Sequence, residues 1–414
     1  MKCFQYLKDK LRSAPESKGE RSAAEGYSGP DRTIESSFLA APPRSLSELE
    51  AKAHNLRVFS FSELKQATRN FNPGLKIGEG GFGIVYKGTI KPADGQGKPL
   101  VVAIKMLKWE SSQGQKEWLA EIHFLSVLEH PNVIKLIGHC AVVGEEGNHR
   151  LLVYEFMRKG SLANHLFNQA SPPLPWNTRL QIMHGAAQGL AYLHEGFQVQ
   201  IIHRSFRTSD VLLDEKFNPK LSDFGFAREG PTAGDTHVTT RVMGTYGYAA
   251  PEYIATGRLT YKCDVWSFGV VLYEILSGRR SIDVNCPISD RSLVEWVKRF
   301  PANRKSFRFL MDHQLGNQYS IGAAREIAKL ADACLSTSPQ ERPKMSEVVE
   351  RLKHIIQVSE EGSAKKMKNR PETKKKSNNQ MKSQMTHIAE ESKKDASNPS
   401  VIIYIISFDM LLPC

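Results

Sequence analysis

Between Leu75 and Ile90 the chain reads LKIGEGGFGIVYKGTI, two stretches of strand character joined by a glycine-rich turn. The glycines fall as Gly78-x-Gly80-x-x-Gly83-x-Val85, with Gly81 inside the turn. A turn without Cβ atoms lets backbone amides approach phosphate oxygens closely. In a dinucleotide-binding turn the same spacing opens a helix, and an acid follows about 20 residues on. Here a strand follows, and the residue 22 positions after Gly83 is Lys105. Lys105 lies in the β-branched run LVVAIKML (100–107), flanked by Ala103, Ile104 and Met106. A lysine in such company reads as a paired inward charge rather than a solvated edge residue. Its partner is expected on the next helix, QKEWLAEIHFLSVL (115–128), where Glu117 and Glu121 are four residues apart and share a face. Glu121 is followed by Ile122, Phe124 and Leu125, which places it nearer the core.

VIKLIGHCAVV and RLLVYEF read as two further strands around the turn GEEGN. From Ser161 to about Val358 the helical period dominates, broken by one irregular region at 200–257. Strands first and helices afterwards predict an α+β chain, with a mixed small lobe and a helical large lobe. Residues 1–56 are rich in Ser, Ala, Pro, Glu and Arg without periodicity and read as disordered. A short helical lead-in is expected at 57–71, its helix in FSFSELKQATRNF (59–71), with Ser62 as its cap.

Composition narrows the function classes. The 414 residues are 40% hydrophobic and 24% charged, which suits a soluble globular protein and excludes collagen-like or wholly disordered chains. Six cysteines without a C-x-x-C pair argue against a disulfide scaffold or a structural zinc site, and for free thiols in a reducing, cytoplasmic compartment. No run of 18 apolar residues predicts a transmembrane helix, and Lys2 stands where N-myristoylation needs glycine. Cys3 lies among Lys2, Lys8, Lys10 and Arg12, with Phe4, Leu7 and Leu11 on one helical face. It is a lipidation candidate for peripheral attachment at an anionic plasma membrane. The net charge of +12 is uneven: residues 365–382 carry eight Lys or Arg against one Glu. That reads as a solvated basic tail, whose clusters at 365–376 also suit nuclear import. Without aromatic interleaving or a reading helix, no specific nucleic-acid partner is expected.

Further motifs then arrive in order: His203-Arg204, Asp223-Phe224-Gly225, Ala250-Pro251-Glu252, Asp264 in DVWSFG, and Arg342 before Pro343. Together with GEGGFGIV, VAIK and the helical acid, this series resembles the eukaryotic protein kinases. The phrases SFSELKQATRNF, EWLAEI, HPNVIKLIGHC, LLVYEFM and RVMGTYGYAAPEYIATG further resemble plant receptor-like cytoplasmic kinases, most closely subfamily VII, over about 55–357. The resemblance implies a bilobal domain at 72–357, with a β-rich N-lobe (72–157) and a helical C-lobe (158–357). Disordered extensions would flank it, the second being the tail 358–414. It implies that Gly78, Gly80, Gly81 and Gly83 cover the phosphates of ATP, that Lys105 contacts them while paired with Glu121, and that Asp223 holds Mg²⁺ or Mn²⁺. Val85, Ala103 and Leu212 would sandwich the adenine, Tyr154 would guard its pocket, and Glu155 to Met157 would supply hinge backbone. Phosphorylated Thr239 or Thr240 would pair with Arg204. Glu252 and Arg342 would form a buried structural pair, and Asp264 a backbone anchor.

The chain departs from the family in its catalytic loop, which should read H-R-D-[LF]-K-x-x-N. It reads His203-Arg204-Ser205-Phe206-Arg207-Thr208-Ser209-Asp210, HRS in place of HRD. Ser205 stands at the catalytic-base position, Arg207 at that of the lysine steadying the phosphoryl group, and Asp210 at that of a metal-holding asparagine. A serine hydroxyl is not basic at neutral pH, and loss of positioned acid–base help costs about 10²–10⁴ in rate. Arg207 keeps the charge in a planar fork. Asp210 remains a hard oxygen ligand for Mg²⁺. To replace the base it would have to leave the metal and cross the site. The leading expectation is an ATP-binding pseudokinase serving as scaffold, decoy or allosteric partner of receptor kinases or active cytoplasmic kinases in receptor or immune signalling. The alternatives are a low-turnover Ser/Thr kinase and a nucleotide-independent membrane or nuclear adaptor.

Overall fold

The computed structural model describes residues 56–368, apart from 81–82, 93–96, 109–111, 144–147, 169–171, 233 and 317. Cys3, Gly81, the extension through residue 55 and the basic stretch beyond 368 lie outside the described residues.

The small lobe begins with β1 (Arg57–Val58) and α1 (Phe61–Ala67). Then come β2 (Lys76–Gly80), β3 (Gly83–Ile90), β4 (Leu100–Leu107), α2 (Ser112–Leu125), β5 (Leu136–Val142) and β6 (His149–Glu155). The strands form one six-stranded sheet in the order β1-β5-β6-β4-β3-β2. Only β1 runs parallel to its neighbour. Alternation along β4 and β6 sorts the side chains. Val102, Ile104, Leu151 and Val153 face one way and pack with Phe59, Phe61 and Leu64. Cross-strand partners share a face, so the register Val85↔Lys105↔Leu152 and Ala103↔Tyr154 places these five residues together on the other side.

The expected lead-in is therefore part of this lobe. It covers the outer face of the sheet and occupies its β5 edge. The helix cap is Ser60 rather than Ser62: Ser60 Oγ accepts from the Glu63 amide at 3.2 Å, while Ser62 already lies in the first turn. Gly138 lets β1 lie down on β5, because a Cβ there would stand 2.0 Å from the Arg57 carbonyl oxygen.

The large lobe opens with β7 (Gly160–Ser161), α3 (Leu162–Phe167) and α4 (Trp176–Glu195). Short strands follow: β8 (Ile201–Ile202), β9 (Val211–Leu213), β10 (Pro219–Leu221), β11 (Arg228–Glu229) and β12 (Val238–Thr239). The remainder is α5 (Pro251–Thr256), β13 (Arg258–Leu259), α6 (Lys262–Ser277), α7 (Leu293–Val297), α8 (Ile321–Cys334) and α9 (Met345–Lys368). From Cys263 to Ser277, α6 is buried on nearly every side, as expected of an element apolar around its whole circumference. Helices α4 and α8 pack against it, and α9 lies on α4. α9 continues to Lys368, past the expected domain end at 357. Ile355 and Ile356 are still in the core, and Trp176 Nε1 donates to Ser359 Oγ at 3.2 Å, so packing carries the helix past that boundary. Cys140, Cys263, Cys286 and Cys334 are free thiols. Among the described residues no helix is long and apolar enough to cross a membrane.

Candidate active site

The upper half of the cleft is built on β4 and α2. Lys105 Nζ lies 2.8 Å from Glu121 Oε1 and 3.3 Å from Asp223 Oδ1. Of the two acids on α2, Glu121 therefore makes the pair. Glu117 turns toward Gly225, where an added Cβ would stand 2.9 Å from the Glu117 Cβ, and accepts from Gln113 Nε2 at 3.1 Å. Burial pushes the Glu117 carboxyl up to about 7. Burial also opposes the charge on Lys105, but Glu121 and Asp223 outweigh it and hold the ammonium above its ordinary range. The Tyr154 hydroxyl donates to Glu121 Oε2. This clamp on the second carboxylate oxygen was not expected from sequence, although the one-sided register of β4 and β6 contains it.

The glycine turn is closed by the pairs Gly78↔Val85 and Gly80↔Gly83. Gly83 is required by close approach, since a Cβ there would stand 2.4 Å from the Met106 carbonyl oxygen. Val85 and Ala103 in the small lobe and Leu212 on β9 are each partly exposed. Glu155 ends β6, with its carboxylate 2.9 Å from Lys220 Nζ, and Met157 is buried after it.

The lower half is a loop hung from α6. The amides of His203 and Arg204 donate to Asp264 Oδ2 and Oδ1 at 2.8 and 2.7 Å, and His194 Nε2 lies 2.8 Å from Oδ2. Asp264 is thus the expected backbone anchor. It holds Arg204 at a left-handed φ of 69°. The Arg204 side chain donates to Tyr253 OH at 2.8 Å and to Thr240 Oγ1 at 3.3 Å. Of the two candidate threonines it meets Thr240, whereas Thr239 pairs across β12 and β13 with Arg258. Arg342 grips Glu252 through two bonds of 2.7 Å, the pair anticipated from sequence, with Arg342 buried and Glu252 partly exposed rather than buried.

Ser205 and Asp210 are both buried and adjacent. The Asp210 amide donates to the Arg207 carbonyl at 3.0 Å, curling the loop so that residues five apart meet. Ser205 Oγ donates to Asp210 Oδ2 at 3.2 Å. The distance expected between metal position and base position is therefore absent. Arg207 Nε donates to Oδ1 at 3.2 Å and to Oδ2 at 3.1 Å, and Ser209 Oγ donates to Oδ1 at 3.0 Å. Burial pushes the Asp210 carboxyl up to about 7, against the opposing pull of Arg207. The Asp210 carbonyl accepts from the Ser222 amide and hydroxyl at 2.9 and 3.0 Å, which ties the loop to the segment carrying Asp223. Ser209 and Ser222 had no sequence signal beyond their polarity. Asp223 is left-handed (φ 64°), with Phe224 buried behind it against His203. Burial works against its charge, but Lys105 and Arg207 prevail and keep the carboxyl below its usual range.

The two carboxylates differ in access. The Asp223 side chain keeps 28% of its surface exposed and that of Asp210 keeps 7%. An accessible carboxylate beside a clamped ammonium suits a divalent cation and a phosphate, respectively, both of hard oxygen chemistry.

The description "Protein tyrosine and serine/threonine kinase" matches residues 72–352. The chain is 53% identical over 325 residues to the probable serine/threonine-protein kinase PBL20 of Arabidopsis thaliana, covering 77% of this chain and 82% of that one. It is 46% identical over 365 residues to receptor-like cytoplasmic kinase 176 of Oryza sativa subsp. japonica, covering 86% and 91%. With serine/threonine-protein kinase PCRK2 of Arabidopsis thaliana it shares 44% identity over 376 residues, covering 88% and 90%.

Proposed function

The chain belongs to the protein tyrosine and serine/threonine kinase family, among relatives of the plant receptor-like cytoplasmic kinases, and from that premise we propose an ATP-binding signalling protein with greatly weakened Ser/Thr phosphotransfer. The observation that carries this reading is the contrast within one cleft. Lys105, Glu121 and Asp223 stand assembled, while a serine hydroxyl, its hydrogen turned toward Asp210, occupies the base position. ATP bound there supplies the γ-phosphoryl group, and its cation, Mg²⁺ or Mn²⁺, offsets the developing charge. Lys105, held straight by Glu121, orients phosphate oxygens. Asp223 is the cation ligand, and Val85, Ala103 and Leu212 line the adenine. Ser205 accepts no proton at neutral pH, so an incoming hydroxyl is neither deprotonated nor aligned. The protein then works by occupancy, as scaffold, decoy or allosteric partner beside receptor kinases or active cytoplasmic kinases. Its place is cytoplasmic, at the plasma membrane through Cys3, with nuclear entry through 365–376.

The test is Ser205→Asp in the full chain, with Lys105→Met as the control that disables its own cleft. Phosphotransfer should rise by about 10² or more. No rise places a further block at Arg207, Asp210 or the lobe closure; wild-type turnover already equal to that of an active relative, and lost in Lys105→Met, overturns the reading.

One observation favours a second reading, a working low-turnover kinase. The Asp210 carboxylate lies one hydrogen bond behind Ser205 Oγ. As the substrate oxygen attacks phosphorus, its proton would pass to Ser205 Oγ while the serine's own proton passes to Asp210. Under this relay, Ser205→Ala and Asp210→Asn each lower autophosphorylation to the Lys105→Met level. Under the first reading neither change matters.

A further inference from the structure

Both oxygens of the Asp210 carboxylate are engaged from within the protein. Oδ1 receives Arg207 Nε and Ser209 Oγ, and Oδ2 receives Arg207 Nε and Ser205 Oγ, all at 3.0–3.2 Å. Arg207 shares its one Nε–H between the two oxygens, so three donor hydrogens engage both oxygens and crowd the sites that a cation would need. Asp223 is the opposite case, with an accessible side chain and Lys105 on one oxygen.

Charge leads to the same place. The family loop carries an aspartate, a lysine and an asparagine at the three altered positions, one negative and one positive charge. This chain carries Ser205, Arg207 and Asp210, the same sum with the carboxylate moved from 205 to 210. A bare carboxylate at 210 would stand near Asp223 in a buried site, where like charges oppose each other strongly. In a loop built around an asparagine, a metal cation moderates the site. Here a guanidinium in direct contact does so. Arginine suits this better than lysine, because its Nε–H reaches both oxygens and its charge persists at any working pH. The Arg207 side chain is only 14% exposed and its partner 7%. An entering cation would have to shed water, which Mg²⁺ does reluctantly, and also break a buried ion pair.

We propose that Arg207 permanently fills the cation position at Asp210, so that the cleft takes nucleotide with a single divalent cation, on Asp223. The single-cation part rests on the nucleotide-binding reading above; the filling of the Asp210 position does not. The consequence is an uncoupling of nucleotide occupancy from the second metal, which suits a protein acting by being occupied.

The test uses Mn²⁺ as probe on the full chain, in wild type, Arg207→Ala, Arg207→Gln and the double variant Arg207→Ala/Asp210→Ala, since an asparagine at 210 could itself hold the cation. Bound Mn²⁺ is counted by electron paramagnetic resonance with and without a non-hydrolysable ATP analogue, and melting is followed in parallel. With the analogue, wild type should hold one Mn²⁺, Arg207→Ala two, and the double variant one again. Without it, Mn²⁺ should raise the melting temperature of Arg207→Ala through a site that Asp210→Ala removes. Arg207→Gln is the second variant should the alanine form fold poorly, since its neutral amide keeps length and planarity; it should gain the same site. Two Mn²⁺ on wild type, or no gained site in either Arg207 variant, overturns the proposal. Wild type that ignores the analogue, with a Mn²⁺ site still gained in Arg207→Ala, defeats the nucleotide reading and leaves the assignment of Arg207 standing.

Discussion

Arg342 shows how much one side chain of this family settles. Its guanidinium is fully buried, donates twice to Glu252, and places two further donors on the carbonyls of Ser336 and Lys262. Glu252 is itself only partly exposed, and removing one partner of such a pair leaves the other charge without compensation. Arg342→Ala should therefore destabilise by about 3–5 kcal/mol. A lowered urea midpoint with unchanged slope would show it, and an unaltered midpoint would refute it. This pair was legible from motif order, as were Lys105–Glu121 and the anchoring role of Asp264. Each of those residues meets a partner at a motif-defined position. The contact between Ser205 and Asp210 was not legible, because it depends on how the backbone curls at Arg207–Asp210 and not on spacing.

Two elements of the small lobe lie before the matched family region. β1 and α1 close the β5 edge and cover the outer face of the sheet. An uncovered edge strand invites pairing with other chains, so this cover protects as well as packs. Leu64 is wholly buried within that cluster. Leu64→Ala should cost about 2–5 kcal/mol, measured by thermal or urea unfolding, with a nucleotide-induced shift still present because the cleft lies on the opposite face. A loss under 1 kcal/mol, on the order of a surface change, would mean that the segment is only loosely applied. The limits of the strands were readable almost to the residue in 100–107, where β-branched residues crowd together. The lead-in was readable as a helix but not as part of the lobe. Seven residues of helical spacing carry no information about which sheet they will cover.

Across the whole molecule, pH dependence follows from acids kept out of water. Glu274 is completely buried in α6; burial pushes its carboxyl up to about 7, while Tyr248 OH and the Ser281 amide, at 2.7 and 2.8 Å, support the ionised form only in part. The folded chain thus keeps a proton that the unfolded chain has released between pH 4.5 and about 7. Stability falls as pH rises through that window, and the penalty is complete above it. Glu274→Gln cannot ionise there, so its stability relative to wild type should climb by on the order of 1–3 kcal/mol from about pH 5 to about pH 8. A difference that stays flat across that range would assign the pH response elsewhere. The amino-acid order alone determined the lobed α+β plan and the acids offered to Lys105, which follow from alternation, helical spacing and residue chemistry, all local properties; the resemblance to the kinases added the Glu252–Arg342 pair and the expectation of a lost base at Ser205. Only the tertiary structure decided that β1 and α1 belong to the small lobe and that Tyr154 clamps Glu121. It alone also turned Arg207 onto Asp210 while leaving Asp223 accessible. Which of two carboxylates keeps its lone pairs for a ligand depends on distances of a few ångströms between side chains, set by the packing of the loop on α6 and not by its letters.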